Sequence, residues 1–326
     1  MNSKRRFIGS CLAVLNVSVR AQPQNISFAS VGETVVGDLY LPKGNGPFPA
    51  VVTGPGFAGV KEMLIPDYAN ALASAGIATL AFDYIGFGAS SGKIRQDIQI
   101  KDQITSYRDA LGVLEKDNRF DSKRLGAWGT SLGGAHTLVV SANDPRVKAA
   151  VAIIPHIELD AKGTEEQPSM IGAIEADVKA AGSGGKRVMV AVSGNPGDNA
   201  AMTTDGAVAW TKDVTKNAPL YRNEVTASSL LALSTYSTVA DAANIKIPLR
   251  AITAKDDSIT PASKIHRALD SVKGVDFKDF PGTHFGLFGA NLTATIDLTV
   301  DWWTNFLSFV RVSLVQEEAK AEENES

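Results

Sequence analysis

The chain has 326 residues, 44% hydrophobic and 21% charged, so it can bury a large core without disulfides or metal ions. Its formal net charge of −3, with acids and bases interspersed, gives neither a basic surface for nucleic acid nor a polybasic membrane patch. Cys11 is the only cysteine, which excludes a disulfide framework, a CxxC redox pair and a cysteine-based zinc site. We expect a small, largely apolar substrate, no cofactor and no metal ion.

The first residues resemble a secretory signal. Lys4, Arg5 and Arg6 precede an apolar run from Phe7 to Val19, and Ala21 provides a small residue for cleavage. Polar residues interrupt the run, so an irregular cytosolic N-terminus is the alternative. Residues 1–21 are therefore a possible signal peptide, which favours a secreted or periplasmic protein if it is cleaved and a cytoplasmic one if it is not. Elsewhere no apolar run reaches the roughly 18 residues of a membrane span.

Short apolar runs alternate with longer helical patterns from Asn25 to Gly134, which is typical of βαβ units. The predicted strands of this part are Thr34–Leu41, Pro49–Thr53, Ile77–Phe82 and Arg124–Gly129. Helices are predicted over Asp67–Ala75 and along the face formed by Ile100, Ile104, Tyr107, Leu111 and Leu114. The fold class is therefore α/β, with a doubly wound, mainly parallel sheet.

Further strands are predicted over Val147–Ile154, Pro248–Ala254 and Val275–Phe280, and a last helix runs from Ile296 to Val310. Between them the alternation stops, and glycine-rich loops separate helical fragments at Ile171–Ala181 and Thr226–Tyr236. An insertion there would lie over the carboxyl ends of the strands, where such sheets bind ligands. We predict a core of residues 22–155 and 244–315, a cap insertion over 156–243, and an acidic tail over 316–326.

A G-x-S-x-G sequence, Gly129-Thr130-Ser131-Leu132-Gly133, follows one of these strands and begins a helix. This is the context of a nucleophile elbow, in which a tight turn exposes the serine hydroxyl and directs the N–H of Leu132 at the developing oxyanion. Ser131 is therefore the predicted nucleophile.

A serine nucleophile needs a base, and the chain has four histidines. His136 lies in the helix behind the elbow and is expected to pack or bond locally, while His266 is expected at the surface. His156 follows a strand at the edge of the cap, where it is a candidate substrate contact. His284 follows the last predicted strand in a glycine-containing loop, where an imidazole can reach the elbow, so it is the predicted general base.

An acid must orient this imidazole and stabilise its charged form. Asp256 and Asp257 both follow the strand that ends at Ala254, so the chain order of serine, aspartate and histidine is that of an α/β-hydrolase. We favour Asp257, because its distance from Pro261 matches a D-x-x-x-P turn. Asp256 remains the alternative.

The second oxyanion donor is expected in the loop Gly54-Pro55-Gly56-Phe57-Ala58-Gly59, with the N–H of Phe57 as the candidate. Pro55 has no N–H and is excluded as a donor. A plain glycine turn is the alternative for this stretch. The segment Asp83–Ser90 is expected to be a packed turn that supports the loop.

Taken together, these motifs resemble the α/β-hydrolase superfamily, from about Asn25 to Val310. The sequence Gly54–Glu62, together with Tyr221–Val225, is similar to a branch with dienelactone hydrolases, X-Pro dipeptidyl-peptidase-like esterases and fungal polyketide transferases. Pro55-Gly56 replaces the His-Gly pair of lipases, so lipase substrate preferences do not carry over. The resemblance implies acyl transfer through a covalent acyl-enzyme.

The predicted function is hydrolysis of a carboxylic ester or thioester by Ser131, Asp257 and His284. Two alternatives stay open: an acyltransferase with the same residues, and a catalytically silent small-molecule receptor. His156, Trp210 and Tyr221 are the candidate substrate contacts, and the cap composition suggests a medium pocket without fixed charge. The sequence leaves the natural substrate and the oligomeric state open.

Overall fold

The structure is a computed structural model that describes residues 22–159 and 168–306. The predicted signal peptide, the acidic tail and the last residues of the predicted final helix lie outside these ranges.

The central feature of the described chain is an eight-stranded sheet, in the order β1-β2-β4-β3-β5-β6-β10-β11. All strands, in chain order, are β1 (Gln24–Ser30), β2 (Glu33–Tyr40), β3 (Phe48–Gly54), β4 (Ala78–Phe82), β5 (Phe120–Thr130), β6 (Val147–Ile153), β7 (Met189–Ser193), β8 (Ala200–Met202), β9 (Val225–Thr226), β10 (Leu249–Ala254) and β11 (Asp276–Phe280). Strand β2 pairs antiparallel with β1 and β4, and the six strands from β4 to β11 in that order are parallel. The carboxyl ends of these parallel strands therefore meet at one edge.

Helices cover both faces of this sheet. They are α1 (Ile65–Ser74), α2 (Ile100–Lys116), α3 (Leu132–Asn143), α4 (Pro168–Ser183), α5 (Ala207–Val214), α6 (Ser228–Ser234), α7 (Val239–Ala242), α8 (Ala262–Leu269) and α9 (residues 292–306). Helices α2, α3 and α8 pack on one face, and α1 and α9 on the other. The predicted doubly wound, mainly parallel fold is confirmed.

Burial on both faces explains why β3, β4 and the second half of β5 are almost entirely apolar, whereas the edge strand β11 carries charged residues. In β5, Ala127 packs on the α2 and α3 side, whereas Trp128 packs on the α1 and α9 side. The Trp128 ring lies 4.9 Å from that of Tyr68 in α1, measured between ring centroids. The alternation of side chains along a strand thus builds two cores from one sheet.

The segment between β6 and β10, here called the insertion, contains more regular structure than expected. The sequence predicted loops and helical fragments, but the described part also forms a small sheet in the order β8-β7-β9. Its strands are only two to five residues long and flanked by glycine-rich turns, which hid them from a pattern analysis. The predicted helix Thr226–Tyr236 is shortened at both ends to α6, and its first residue belongs to β9.

An ion-pair network attaches the insertion to the core. The guanidinium of Arg187 donates to Asp177 of α4 at 2.7 Å and to Asp97 of the core at 3.0 Å. Asp97 also accepts a hydrogen bond from the hydroxyl of Thr226 at 2.6 Å. These contacts fix the small sheet against the segment that precedes α2.

Candidate active site

Ser131 lies on the sharp turn between β5 and α3, with φ 53° and ψ −118°. A positive φ costs a residue with a side chain about 1–3 kcal/mol unless its surroundings hold it there. Here β6 and the residues after it hold the turn: Ser131 N–H donates to the carbonyl of Ile153 (2.9 Å), and His156 N–H donates to the carbonyl of Ser131 (3.0 Å). This is the conformation of a nucleophile elbow.

The glycines around Ser131 are required by close backbone contacts. A Cβ on Gly133 would lie 2.4 Å from the carbonyl oxygen of Gly54, and a Cβ on Gly129 would lie 2.4 Å from the carbonyl oxygen of Gly133. No side chain fits at such distances. The G-x-S-x-G pattern therefore has a steric cause in this fold.

Asp257 and His284 form a buried hydrogen-bonded pair beyond β10 and β11. Oδ2 of Asp257 lies 2.8 Å from Nδ1 of His284, and both side chains are nearly excluded from solvent. Because a carboxylate only accepts hydrogen bonds, this contact places the proton on Nδ1 and leaves Nε2 free to accept one. The pair thus has the tautomer that a general base needs.

Other donors hold the Asp257 carboxylate in place. Oδ1 accepts the N–H groups of Ile259 and Thr260 at 2.8 Å each, and the Thr260 hydroxyl donates to Oδ2 at 2.8 Å. Burial alone would raise the pKa of Asp257, but the hydrogen bond and charge of His284, with the bonds from Thr260, hold it below the usual value. Asp257 is therefore an ionised and oriented partner for the imidazole.

Asp256 takes a different role in the same turn. Its carboxylate accepts the N–H of Gly282 at 3.2 Å, and its own N–H donates to the carbonyl of Gly282 at 3.0 Å. These two bonds join the loop after β10 to the loop that carries His284. Of the two neighbouring carboxylates, Asp257 is the one that contacts the histidine.

Ser131 and His284 line the same small cavity, of about 50 Å³. Its lining also includes Gly56 and Phe57 of the predicted oxyanion loop. The structure thus brings Ser131 and the Asp257–His284 pair, which are far apart in the sequence, together at the carboxyl edge of the sheet.

The predicted oxyanion loop lies directly opposite the nucleophile. A Cβ on Gly56 would be 3.5 Å from Cβ of Ser131, so the loop backbone passes close to the serine. The N–H groups of Phe57 and Leu132 donate to no acceptor within residues 22–159 and 168–306. Two free donors next to a serine hydroxyl can stabilise a developing oxyanion.

Two tyrosines hold this loop, and the sequence analysis missed their role. The Tyr107 hydroxyl accepts the N–H of Gly54 at 2.8 Å and lies 3.2 Å from the carbonyl of Gly133, so it joins the loop to the elbow. The Tyr84 hydroxyl donates to the carbonyl of Pro55 at 3.1 Å. Tyr107 was assigned only to the apolar face of α2, and its hydroxyl at a position facing the sheet was the signal that could have identified it.

A buried charge cluster supports the loop from behind. Asp83 accepts the N–H of Lys61 at 2.8 Å and the N–H of Ala89 at 2.9 Å, and the Lys61 ammonium lies 3.3 Å from Asp38 and in contact with Glu62. Burial raises the pKa of Asp83 to about 6, against the effect of these N–H donors. The cluster fixes the residues that follow the oxyanion loop.

A large cavity of about 840 Å³ lies between the core and the insertion, with Ser131, Leu132 and Phe57 in its lining. Most of its remaining lining is apolar and comes from α4, β8 and α6, including Met170, Ile174, Met202, Leu230 and Leu233. The large exposed apolar side chains Leu159, Ile171, Val178 and Leu231, which are 36–46% exposed, also line it. Apolar groups left in contact with solvent at a cavity are typical of a ligand site.

The three candidate substrate contacts have different positions. His156 lines the large cavity, and its Nε2 lies 3.2 Å from the carbonyl of Tyr236. Trp210 lines the small cavity and packs on Phe285, with 5.1 Å between ring centroids. Tyr221 lines neither of these two cavities and packs beside Val60 and Met63, so its role as a substrate contact stays a prediction.

His136 and His266 have structural partners. His136 is buried and packed, one of the two roles expected for it, and its hydrogen bonds reach distant residues: Nδ1 lies 3.0 Å from the Tyr236 hydroxyl and Nε2 2.9 Å from Oε1 of Gln103. Burial lowers its pKa to about 3. His266 is partly exposed, stacks on Phe277 and lies 2.8 Å from Asp279. Neither lines the cavities that contain Ser131.

Within the described ranges, no three His, Cys, Asp or Glu side chains are arranged to hold a metal ion. Among the described helices, none combines the length and apolarity needed to cross a bilayer.

Comparison with known proteins agrees with this geometry. The chain is 26% identical over 275 residues to the quorum-quenching protein AidA of Acinetobacter baumannii, covering 83% of this chain and 90% of that protein. It is 28% identical over 257 residues to a thiohydrolase of Eupenicillium brefeldianum, covering 75% and 80%. Its fold matches the crystal structure of the α/β hydrolase GrgF from Penicillium, with a TM-score of 0.75, 21% identity and coverage of 88% and 99%.

The sheet order, the elbow and these neighbours define an α/β-hydrolase. The chain belongs to the hydrolase family described as serine aminopeptidase, S33, whose sequence model matches residues 49–288.

Proposed function

We propose that the protein is a serine hydrolase that cleaves a carboxylic ester or thioester through an acyl-enzyme on Ser131. The observation that carries the proposal is the Asp257–His284 pair, bonded at 2.8 Å, in a loop that lines the same cavity as a serine on a nucleophile elbow. This set of groups supplies a nucleophile, a base in the required tautomer and an acid that orients it.

The proposed reaction has two steps. Nε2 of His284 takes the Ser131 proton as Oγ attacks the acyl carbon, and then donates this proton to the leaving alcohol or thiol. Water next gives a proton to Nε2 as it attacks the acyl-enzyme, and that proton returns to Oγ. The N–H groups of Phe57 and Leu132 stabilise the oxyanion formed in both steps.

The proposed substrate is an acyl group with a sizeable apolar chain. The large cavity falls in the 300–1,000 Å³ range of small-molecule sites, and most of its wall is aliphatic. Glu175 and Lys179 are the charged residues in its lining, and both lie on the exposed side of α4. Similarity to a protein named thiohydrolase supports including thioesters.

An acyltransferase that uses the same residues is the second candidate. It differs only in the group that attacks the acyl-enzyme, so exclusion of water by the insertion would decide between the two reactions. The apolar insertion beside Ser131 supports this second candidate, because apolar walls disfavour water next to the acyl-enzyme.

A fluorophosphonate probe tests the nucleophile. We expect stoichiometric labelling of the wild type and none of Ser131→Ala, with Ser141→Ala, a buried serine in α3, as the matched control that still labels. Hydrolysis of octanoyl esters and thioesters should follow the same pattern. A folded wild type that neither labels nor hydrolyses would contradict the proposal and favour a silent receptor.

A further inference from the structure

Two cavities of unequal size meet at Ser131. The larger, about 840 Å³, includes Leu132, Thr260 and His156 in its lining, whereas the smaller, about 50 Å³, includes His284. Phe57, Ser131 and Met202 line both. The side chains of Phe57 and Met202 therefore form the boundary between the cavities, with the serine at their junction.

The position of His284 distinguishes the two cavities chemically. In a serine hydrolase the histidine must donate a proton to the leaving group and accept one from the incoming acceptor, so both groups pass next to its Nε2. The acyl chain needs no proton and needs only room. The cavity that contains His284 is thus suited to the leaving group and the acceptor, and the large cavity is suited to the acyl chain.

We infer that the small cavity is the subsite for the leaving group and the acyl acceptor, and that it admits water or an alcohol of one or two carbons, with Trp210 as the wall that limits its size. This inference rests on the proposed function and narrows it. In acylation the bond from Oγ to the acyl carbon forms and the bond from the acyl carbon to the leaving oxygen breaks. His284 passes the serine proton to that oxygen, so the leaving group departs as an alcohol. Deacylation reverses these roles with the incoming acceptor.

The volume sets the size limit. A water molecule needs about 10–15 Å³ of such space, so about 50 Å³ holds a few waters or a one- to two-carbon alcohol. A butyl or benzyl group does not fit beside the attacking atoms. Most of the lining is apolar and includes Met63, Ile65, Phe285 and Phe288, and Thr130 adds a hydroxyl beside the proposed catalytic side chains.

Trp210 is the residue best placed to set this limit. Its ring packs on Phe285 and Phe288, at 5.1 and 6.2 Å between centroids, so it is held against the loop of His284. Its indole Nε1 is buried and has no acceptor in the described part of the chain. The hydroxyl oxygen of a small alcohol is an acceptor of the kind that this N–H lacks.

The test compares methyl, ethyl, butyl and benzyl octanoate in the wild type and variants. We expect the wild type to hydrolyse the methyl and ethyl esters at least about tenfold better in kcat/KM than the butyl and benzyl esters, since groups that exceed a pocket lose this much. Trp210→Ala should reduce that ratio to within about threefold. Trp210→Phe, which keeps a ring but removes the N–H, should give an intermediate ratio and is the variant to use if Trp210→Ala fails to fold.

Trp302→Ala is the matched control, because the Trp302 indole also has a buried unpartnered Nε1 but contacts Arg250 and lines neither cavity. It should keep the wild-type ratio. Equal kcat/KM for methyl and butyl octanoate in the wild type would overturn the inference, as would equal ratios in the active Trp210 and Trp302 variants. If Ser131→Ala hydrolysed every one of these esters as fast as the wild type, the proposed function would be overturned, and the inference with it.

Discussion

The core around Ser131 and the insertion that covers it are built under different steric constraints. In the core, a Cβ on Gly88, Gly129 or Gly133 would lie 2.2–2.4 Å from another heavy atom. In the insertion, Gly172, Gly182, Gly184 and Gly197 have no heavy atom within 4 Å of the same position. Close packing therefore fixes the core turns at these three positions. At the four insertion positions no neighbour opposes a side chain, and only the positive φ of Gly184 and Gly197 still favours glycine there.

This difference suggests that the core carries out the reaction and the insertion selects the substrate. The nucleophile and the predicted oxyanion donors lie on tightly packed core turns, and hydrogen bonds from Ile259 and Thr260 hold the Asp257–His284 pair on core loops. The insertion instead presents aliphatic side chains to a large cavity, and several of them remain exposed. We expect core substitutions to change turnover and insertion substitutions to change which acyl groups are accepted.

The largest effect should come from the orienting carboxylate. Asp257→Asn keeps the shape but no longer holds the proton on Nδ1 of His284, so kcat for octanoyl ester hydrolysis should fall by about 10⁴-fold. Asp256→Asn is the matched control and should lower kcat by less than about threefold, because among the described residues its carboxylate bonds only the backbone N–H of Gly282. Equal losses in the two variants would contradict the assignment of Asp257.

Tyr107→Phe tests the rigidity of the core site. Removal of the hydroxyl leaves the buried N–H of Gly54 without its acceptor, which should cost about 1–3 kcal/mol in the free energy of unfolding. Because the oxyanion loop loses its link to the elbow, kcat should also fall by about tenfold, less than the 10²–10³ for losing an oxyanion donor.

Tyr68→Phe separates stability from positioning in this experiment. Its hydroxyl bonds Thr295 at 2.7 Å on the opposite face of the sheet, so this variant should lose stability without a change in kcat. Urea unfolding and initial rates measure the two effects. Identical kcat values for both variants would show that Tyr107 has only a structural role.

The sequence predicts the core better than the insertion, because tight packing in the core constrains which residues can stand at each position. Strands buried on both faces and a turn that only glycines permit leave local patterns, so the sheet and the elbow could be found without coordinates. The Tyr107 contact and the boundary at Met202 depend on how distant segments meet, which no local pattern records. The position of Tyr221 outside both cavities could not be predicted either, because the presence of an aromatic residue in an insertion does not specify the side it faces.

A substitution in the large cavity should change selectivity with little effect on the chemistry. Ile174→Trp fills space between α4 and α6, so kcat/KM for methyl decanoate should fall by about tenfold or more while that for methyl acetate changes by less than about threefold. Val208→Trp, at an exposed position of α5 outside both cavities, should leave both values near wild type. Equal losses for both esters in Ile174→Trp would place the acyl chain elsewhere.

The smallest effect concerns the interface between the core and the insertion, here called the seam, where His136 of the core bonds Tyr236 of the insertion. Burial lowers the pKa of His136 from 6.5 to about 3, so below pH 6.5 the unfolded chain binds a proton at this site that the folded chain does not. The unfolded state is then favoured, and between pH 7 and pH 5 this residue alone should remove about 2 kcal/mol from the free energy of unfolding.

His136→Gln lacks the titrating group and should lose about 2 kcal/mol less than the wild type over this interval, as measured by urea unfolding at pH 7, 6 and 5. Tyr236→Phe removes only the hydroxyl partner, so it should be less stable at every pH but keep the wild-type dependence, because burial causes the shift. If His136→Gln kept the full pH dependence, the histidine would be accessible to protons in the folded chain. The seam would then be open to solvent, and the insertion would be less firmly attached to the core than its contacts with Arg187 and Tyr236 indicate.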